Sequence, residues 1–253
     1  MNKVLLGAAA LLAAIGVAAP ASAADLPART FTKAPPAMIA AVYDWSGFYI
    51  GINGGGGSTH KCWDITNNGG VAVPSTSEGC HDATGGLAGG QLGYRWQSGA
   101  WVFGVEAQGD WSDFKGSNVS LFTPIITNQT RMDAFGLFTG QVGYAWNNVL
   151  WYVKGGAAVA DDKYRGFTTA GNVLLDQAND TRWGGTVGTG VEVSFAQNWS
   201  VAFEYDHLFM GSHSINFNTP AGVFSRTDNI KQDVDIGSVR VNYRWGGPVI
   251  AKY

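Results

Sequence analysis

From Trp45 to Trp245 apolar and polar residues alternate with a period of two, the spacing of strands whose two faces meet different surroundings. Eight such segments can be traced, and none has a helical period. They begin with "WSGFYIGINGGGG" at Trp45 and continue with "GGQLGYRW", ending at Trp96, and "WVFGVEAQGDW", Trp101 to Trp111. "FGLFTGQVGYAW" ends at Trp146 and "WYVKGGAAVA" starts at Trp151. "RWGGTVGTGVEVSF", "WSVAFEYDH" and "GSVRVNYRW" complete the set. One face of the third segment holds Trp101, Phe103, Val105, Ala107 and Trp111, and the other holds Glu106, Gln108 and Asp110. Across the segments the apolar face is free of charge.

An internal repeat supports this phasing. "GQLGYRW" at 90–96 returns as "GQVGYAW" at 140–146, and Trp101 returns as Trp151 at the same offset. The unit is a hairpin: strand, tight turn, strand, long connection. The expected short turns are 97–100, 147–150 and 196–198; the expected long loops are 57–83, 113–130, 161–181 and 210–231. Short turns at one end and long loops at the other are the asymmetry of an outer-membrane barrel. Val234 and Ile236 fall out of phase with Val239 and Val241, which predicts a bulge near Gly237. Gly54 and Gly56 predict a kink where the first strand enters its loop.

Tryptophan placement separates a membrane barrel from a soluble sandwich. Trp45, Trp96, Trp101, Trp146, Trp151, Trp199 and Trp245 fall beside the short turns, whereas Trp111 and Trp183 fall at the opposite strand ends. Two aromatic girdles with small aliphatics between them fit a bilayer. A sandwich core would gather its large residues in mid-strand. The resulting fold class is all-β, an eight-stranded antiparallel up-and-down transmembrane β-barrel.

Composition adds the route. Residues 1–23 carry Lys3, an apolar run from Val4 to Ala18 and "ASA" at 21–23, the parts of a cleaved signal peptide. An uncleaved anchor is the alternative. Pro27, Pro35 and Pro36 make residues 24–44 a periplasmic linker, leaving 45–253 as the barrel domain. The net charge of −3 leaves no basic footprint for nucleic acid.

The polar face supplies a candidate lumen network: Arg95, Glu106, Asp110, Lys154, Arg182, Glu192, Glu204, Asp206, Arg240 and Arg244, five of each sign. It reads either as a balanced plug, since eight strands enclose a bore that side chains can fill, or as the lining of a narrow ion path. Cys62 and Cys80 share one Gly/Asn/Ser-rich segment, and export favours a disulfide between them. His60 and His81 flank them, so a Cys2His2 metal site is the other option, at a spacing unlike usual zinc patterns. No cofactor motif occurs: "GGGGSTHK" lacks the ending of a phosphate loop. No catalytic set is evident either. Asp206 and His207 are sequence neighbours and face opposite sides of a strand, and Ser212 and His213 fall in an expected loop without an evident carboxylate. The long loops, with Phe122, Tyr164, Phe167, Phe217 and Phe224, are the expected place for host or envelope partners.

"WSGFYIGINGG", "GGQLGYRWQ", "GVEAQGDW", "LWYVKGGAA", "GGTVGTGVEVSFAQNWSVAFEYDH" and "VRVNYRWGGPVIAKY" together resemble the small outer-membrane β-barrel (porin-family) proteins of alpha-proteobacteria, the group that includes major surface antigens. The resemblance covers about residues 24–253. It implies an eight-stranded barrel in the outer membrane, contact with lipid and lipopolysaccharide, delivery by the barrel assembly machinery and a link to envelope integrity. One departure is the segment after Trp245. The assembly machinery usually recognises a final strand ending in a C-terminal aromatic, but Pro248 intervenes before Tyr253.

Overall fold

The computed structural model describes residues 43–245. The expected signal, the linker up to residue 42 and the segment after Trp245 lie outside the described residues. Eight antiparallel strands form a closed barrel in sequence order. They are β1 (Gly47–Asn68), β2 (Val71–Ser98), β3 (Trp101–Val119), β4 (Ile126–Trp146), β5 (Val149–Thr168), β6 (Leu174–Ser194), β7 (Trp199–Asn218) and β8 (Phe224–Trp245). The ring closes where β1 pairs with β8, from Phe48 opposite Trp245 to Asn68 opposite Arg226. Closure leaves no sheet edge for lipid to face.

The strands are longer than the alternation predicted. A bilayer needs about 9–11 residues per tilted strand, yet β1 has 22 and β2 has 28. The segments expected as long loops are mostly strand, so the hairpins project well beyond the membrane band. Their connections are short: Gly69–Gly70, 120–125, 169–173 and 219–223. At the first of these both glycines have positive φ, +60° and +89°, as a two-residue hairpin turn requires.

The projection escaped the sequence reading because its pattern is inverted. Within the band, apolar residues face out and polar residues face in: on β8, Val239 and Val241 are exposed or half-buried while Arg240 and Asn242 are buried. Above it the order reverses. Val234 and Ile236 are buried inside, and Asp233 and Asp235 face outward. The predicted bulge near Gly237 is therefore absent, and pairing with both neighbours runs through that residue unbroken. Beyond the lipid the outer wall meets water, so the apolar face turns inward to make its own core. The predicted kink at Gly54 and Gly56 is absent as well. β1 keeps its register past them, and its shifts fall at Trp63/Asp64 and Ile65/Asn67.

Trp96, Trp101, Trp146, Trp151, Trp199 and Trp245 are exposed on the outer wall near the short turns, with Trp111 and Trp183 exposed further up. Trp45 departs from that girdle. It precedes β1 and turns inward, only 1% exposed, against Val102, Ala145, Leu150 and Tyr152. Its Nε1 donates to the Asn147 carbonyl at 3.3 Å. Ahead of the strand, its side chain is not bound by the in–out alternation, and it caps the end of the lumen.

The barrel interior and the projecting rim as candidate functional sites

All ten charged side chains expected in the lumen are buried, and eight of them occupy one lower layer. At its centre Arg240 reaches Glu106 with one arm of its guanidinium and Glu204 with the other. Lys154 lies 2.7 Å from Glu204, 3.2 Å from Asp206 and 3.6 Å from Glu106. Arg95 pairs with Glu192 at 2.8 Å and lies over the Tyr49 ring. Asp110 accepts from Gln108 at 2.9 Å. Arg182 and Arg244 stand apart from this layer. Arg182 belongs to a higher one, donating to Tyr164 Oη at 2.8 Å, and Arg244 sits at the mouth, donating to the Ser46 carbonyl at 3.0 Å.

Two hydroxyls, from β1 and β5, finish the lower layer in the same way. Tyr49 Oη donates to Glu106 and Tyr152 Oη donates to Glu204, each at 2.6 Å. Each ring lies against a glycine of the adjacent strand. A Cβ on Gly93 would come within 2.5 Å of the Tyr49 ring, and one on Gly190 within 2.5 Å of the Tyr152 hydroxyl. Part of the glycine content is therefore space for long inward side chains in a narrow bore.

Above the ion pairs the lumen turns apolar. Leu87 of β2, Phe114 of β3, Met132, Phe135 and Leu137 of β4, Ala158 and Ala160 of β5, Leu208 and Met210 of β7, and Val234 and Ile236 of β8 pack into one cluster. The next layer is polar, with Lys61 bonded to Asp162 at 2.6 Å. Then Trp63, Tyr164, Ile215, Phe217 and Ile230 form a second apolar cluster. Tyr164 and Phe217, expected on loops, are thus core residues. Near the tip Arg226 gathers Glu78 at 2.7 Å, Asp176 at 3.1 Å and Asp228 at 3.3 Å. These groups stand beyond the membrane band. Burial pushes the Asp228 carboxyl up to about 7 and the Lys61 amine down to about 8. Sequence reasoning missed the tip charges by assigning their segments to loops. Their signal was the alternation Thr59, Lys61, Trp63, Ile65, which continues the inward face of β1.

Cys62 and Cys80 face each other across β1 and β2, and their sulfurs are bonded at 2.01 Å. With both sulfurs in that bond the thiolates a metal site needs are not available. His60 Nε2 lies 3.5 Å from the Cys62 sulfur, while His81 turns inward to Asn118 and Thr130. A loop of this length carries a closure entropy worth about 3 kcal/mol on the chain-entropy account. Cys62→Ser should therefore leave insertion intact and speed amide exchange across 65–76. Exchange at the native rate would show that the bond adds nothing to the tip.

Ser212 and His213 lie on β7 rather than in a loop, and His213 Nδ1 is 3.0 Å from Asp180. His60 meets Asp82 and His207 meets Asp235, both at 2.6 Å. Among the described residues none of these three histidines contacts a serine or threonine hydroxyl.

A closed ring of antiparallel strands, apolar and aromatic on the outside and charged within, defines a transmembrane β-barrel. The description "Outer membrane protein beta-barrel domain" matches residues 9–245, and the chain belongs to that family. It is a protein of the outer membrane. The 31 kDa outer-membrane immunogenic protein of Brucella melitensis is 30% identical over 199 residues, covering 72% of this chain and 78% of the relative. The 22 kDa outer membrane protein of Rhizobium leguminosarum is 31% identical over 184 residues, covering 72% and 71%. Both are alpha-proteobacterial, like the group the motifs resemble. Among solved structures, OprG of Pseudomonas aeruginosa aligns with a TM-score of 0.47 at 11% identity, covering 81% of this chain and 99% of that one.

Proposed function

We propose that this barrel is closed to solutes and serves the envelope structurally, while its projecting rim presents a surface for recognition. The apolar cluster around Phe114, Leu137 and Val234 carries the reading. It draws side chains from six strands into the lumen directly above the ion pairs. An ion following the polar lining would lose its hydration there with no partner to replace it. The layer below holds five carboxylates against three cations, each cation paired, so its charge alone would not exclude a cation and the closed reading rests on the apolar cluster above it. Proteoliposomes carrying the purified protein should exclude small sugars as well as protein-free vesicles do. Swelling above that level would favour the channel reading instead.

The recognition half rests on the tip. Leu121 and Ile125, between β3 and β4, are 72% and 73% exposed, far from any lipid-facing position. Exposed apolar side chains at a rim suit protein contacts. The Brucella relative's name, an immunogenic protein, is consistent with such a display. A catalytic role finds no support in the histidine pairs, which lack a neighbouring nucleophile.

A further inference from the structure

We propose that the outer wall of β3, β4 and β5 carries a site for the phosphate groups of outer-leaflet glycolipid. Register places Lys115 opposite Arg131 and Arg131 opposite Lys163, so three cations stand in one row across three strands. Arg165 and Gln129 face each other one step further out. All alternate with buried residues (Phe114, Met132, Asp162 and Tyr164), so their side chains leave the barrel on its outer face. Together they line a recess of about 220 Å³.

Charge and height select the ligand. Asp133 is shared by Arg131 and Lys163, and Asp113 by Lys115 and Arg131. Two carboxylates thus serve three cations. Arg165 has no carboxylate within ion-pair distance among the described residues, and the Gln129 amide has no hydrogen bond there. The sector therefore keeps an excess of positive charge and unspent donors. Asp82 on adjacent β2 and Asp161 on β5 border the sector, leaving its four cations one ahead of Asp113, Asp133 and Asp161, whereas β8, across β1, carries Asp233 and Asp235 outward with Lys231 as its cation. The cationic row begins four residues above Trp111, the outer girdle of β3. That is where lipid chains end and headgroup phosphates begin. A soluble anion has no reason to prefer this height; a phosphate on a membrane-anchored sugar is held there. Guanidinium groups match phosphate with paired N–H donors, and the lysines add charge around them.

The test uses the full protein in lipid nanodiscs, titrated with bisphosphorylated lipid A, its dephosphorylated form and inorganic phosphate. Each Lys or Arg near a charged leaflet contributes about a factor of five in affinity. The Lys115→Gln/Lys163→Gln/Arg165→Gln variant should then bind bisphosphorylated lipid A roughly a hundredfold more weakly than the native protein. Lys231→Gln should bind as the native protein does, and Lys115→Arg/Lys163→Arg should keep affinity, which controls for folding. Dephosphorylated lipid should bind weakly and equally to all. Inorganic phosphate should not compete at lipid-saturating levels; effective competition would overturn the lipid assignment in favour of free phosphate. Equal affinity for the two lipids, or native affinity in a folded triple variant, would overturn the site altogether.

Discussion

Arg240→Met should be the most destabilising single change inside the barrel, lowering stability by about 3–5 kcal/mol. The guanidinium is fully buried and holds Glu106 and Glu204 together. Without it, Glu106, Glu204 and Asp206 share Lys154 as their nearby cation. Breaking such a group leaves uncompensated charge in a dry bore, and that penalty exceeds the net worth of the intact pairs. Arg240→Lys keeps the charge but not the two-armed reach, so it should fall between. Adding Glu204→Gln to Arg240→Met should recover part of the loss, because it removes one orphaned charge. Urea titration of the vesicle-inserted protein, followed by heat-modifiable gel mobility, reads all three against the native protein. A native midpoint in Arg240→Met would mean the network is ornamental to stability.

Val105→Arg should cost about 2–4 kcal/mol of insertion free energy. Val105 is 53% exposed midway between Trp101 and Trp111, on the lipid side of β3. Val191→Arg, outward on β6, should behave alike. Val119→Arg is the depth control. That residue is also exposed, at the far end of the same strand, where the penalty falls to about 0–1 kcal/mol. Folding yield into vesicles should rank the native protein and Val119→Arg together, with the other two well below. Equal yields at all depths would remove the membrane band from where the girdles place it.

The band itself was readable from sequence because one rule governs it. Lipid outside and a crowded polar bore inside force Val105 out and Glu106 in, and the same phase holds strand after strand. Beyond Trp111 the solvent changes and the rule reverses, so Val234 and Ile236 looked like a register error when they belong to an apolar core inside the barrel. Trp45 was misplaced for a related reason, since alternation has no authority over a residue ahead of the strand. The ten lumen charges were recognisable by face, but not their grouping. Which carboxylate Arg240 reaches depends on the stagger between strands far apart in sequence, and no local pattern records it. The glycines of "WSGFYIGINGGGG" were legible as barrel glycines. What Gly93 and Gly190 make room for, a tyrosine from the neighbouring strand in each case, emerges only once register is known.

The lumen is proposed to be closed by alternating ionic and apolar layers. Single-channel recording of the purified protein in planar bilayers tests it most directly. The layers predict no stable unitary steps from the native barrel. Reproducible steps from native protein, altered in Glu106→Ala or Arg240→Ala, would show a continuous path through those residues and contradict the account.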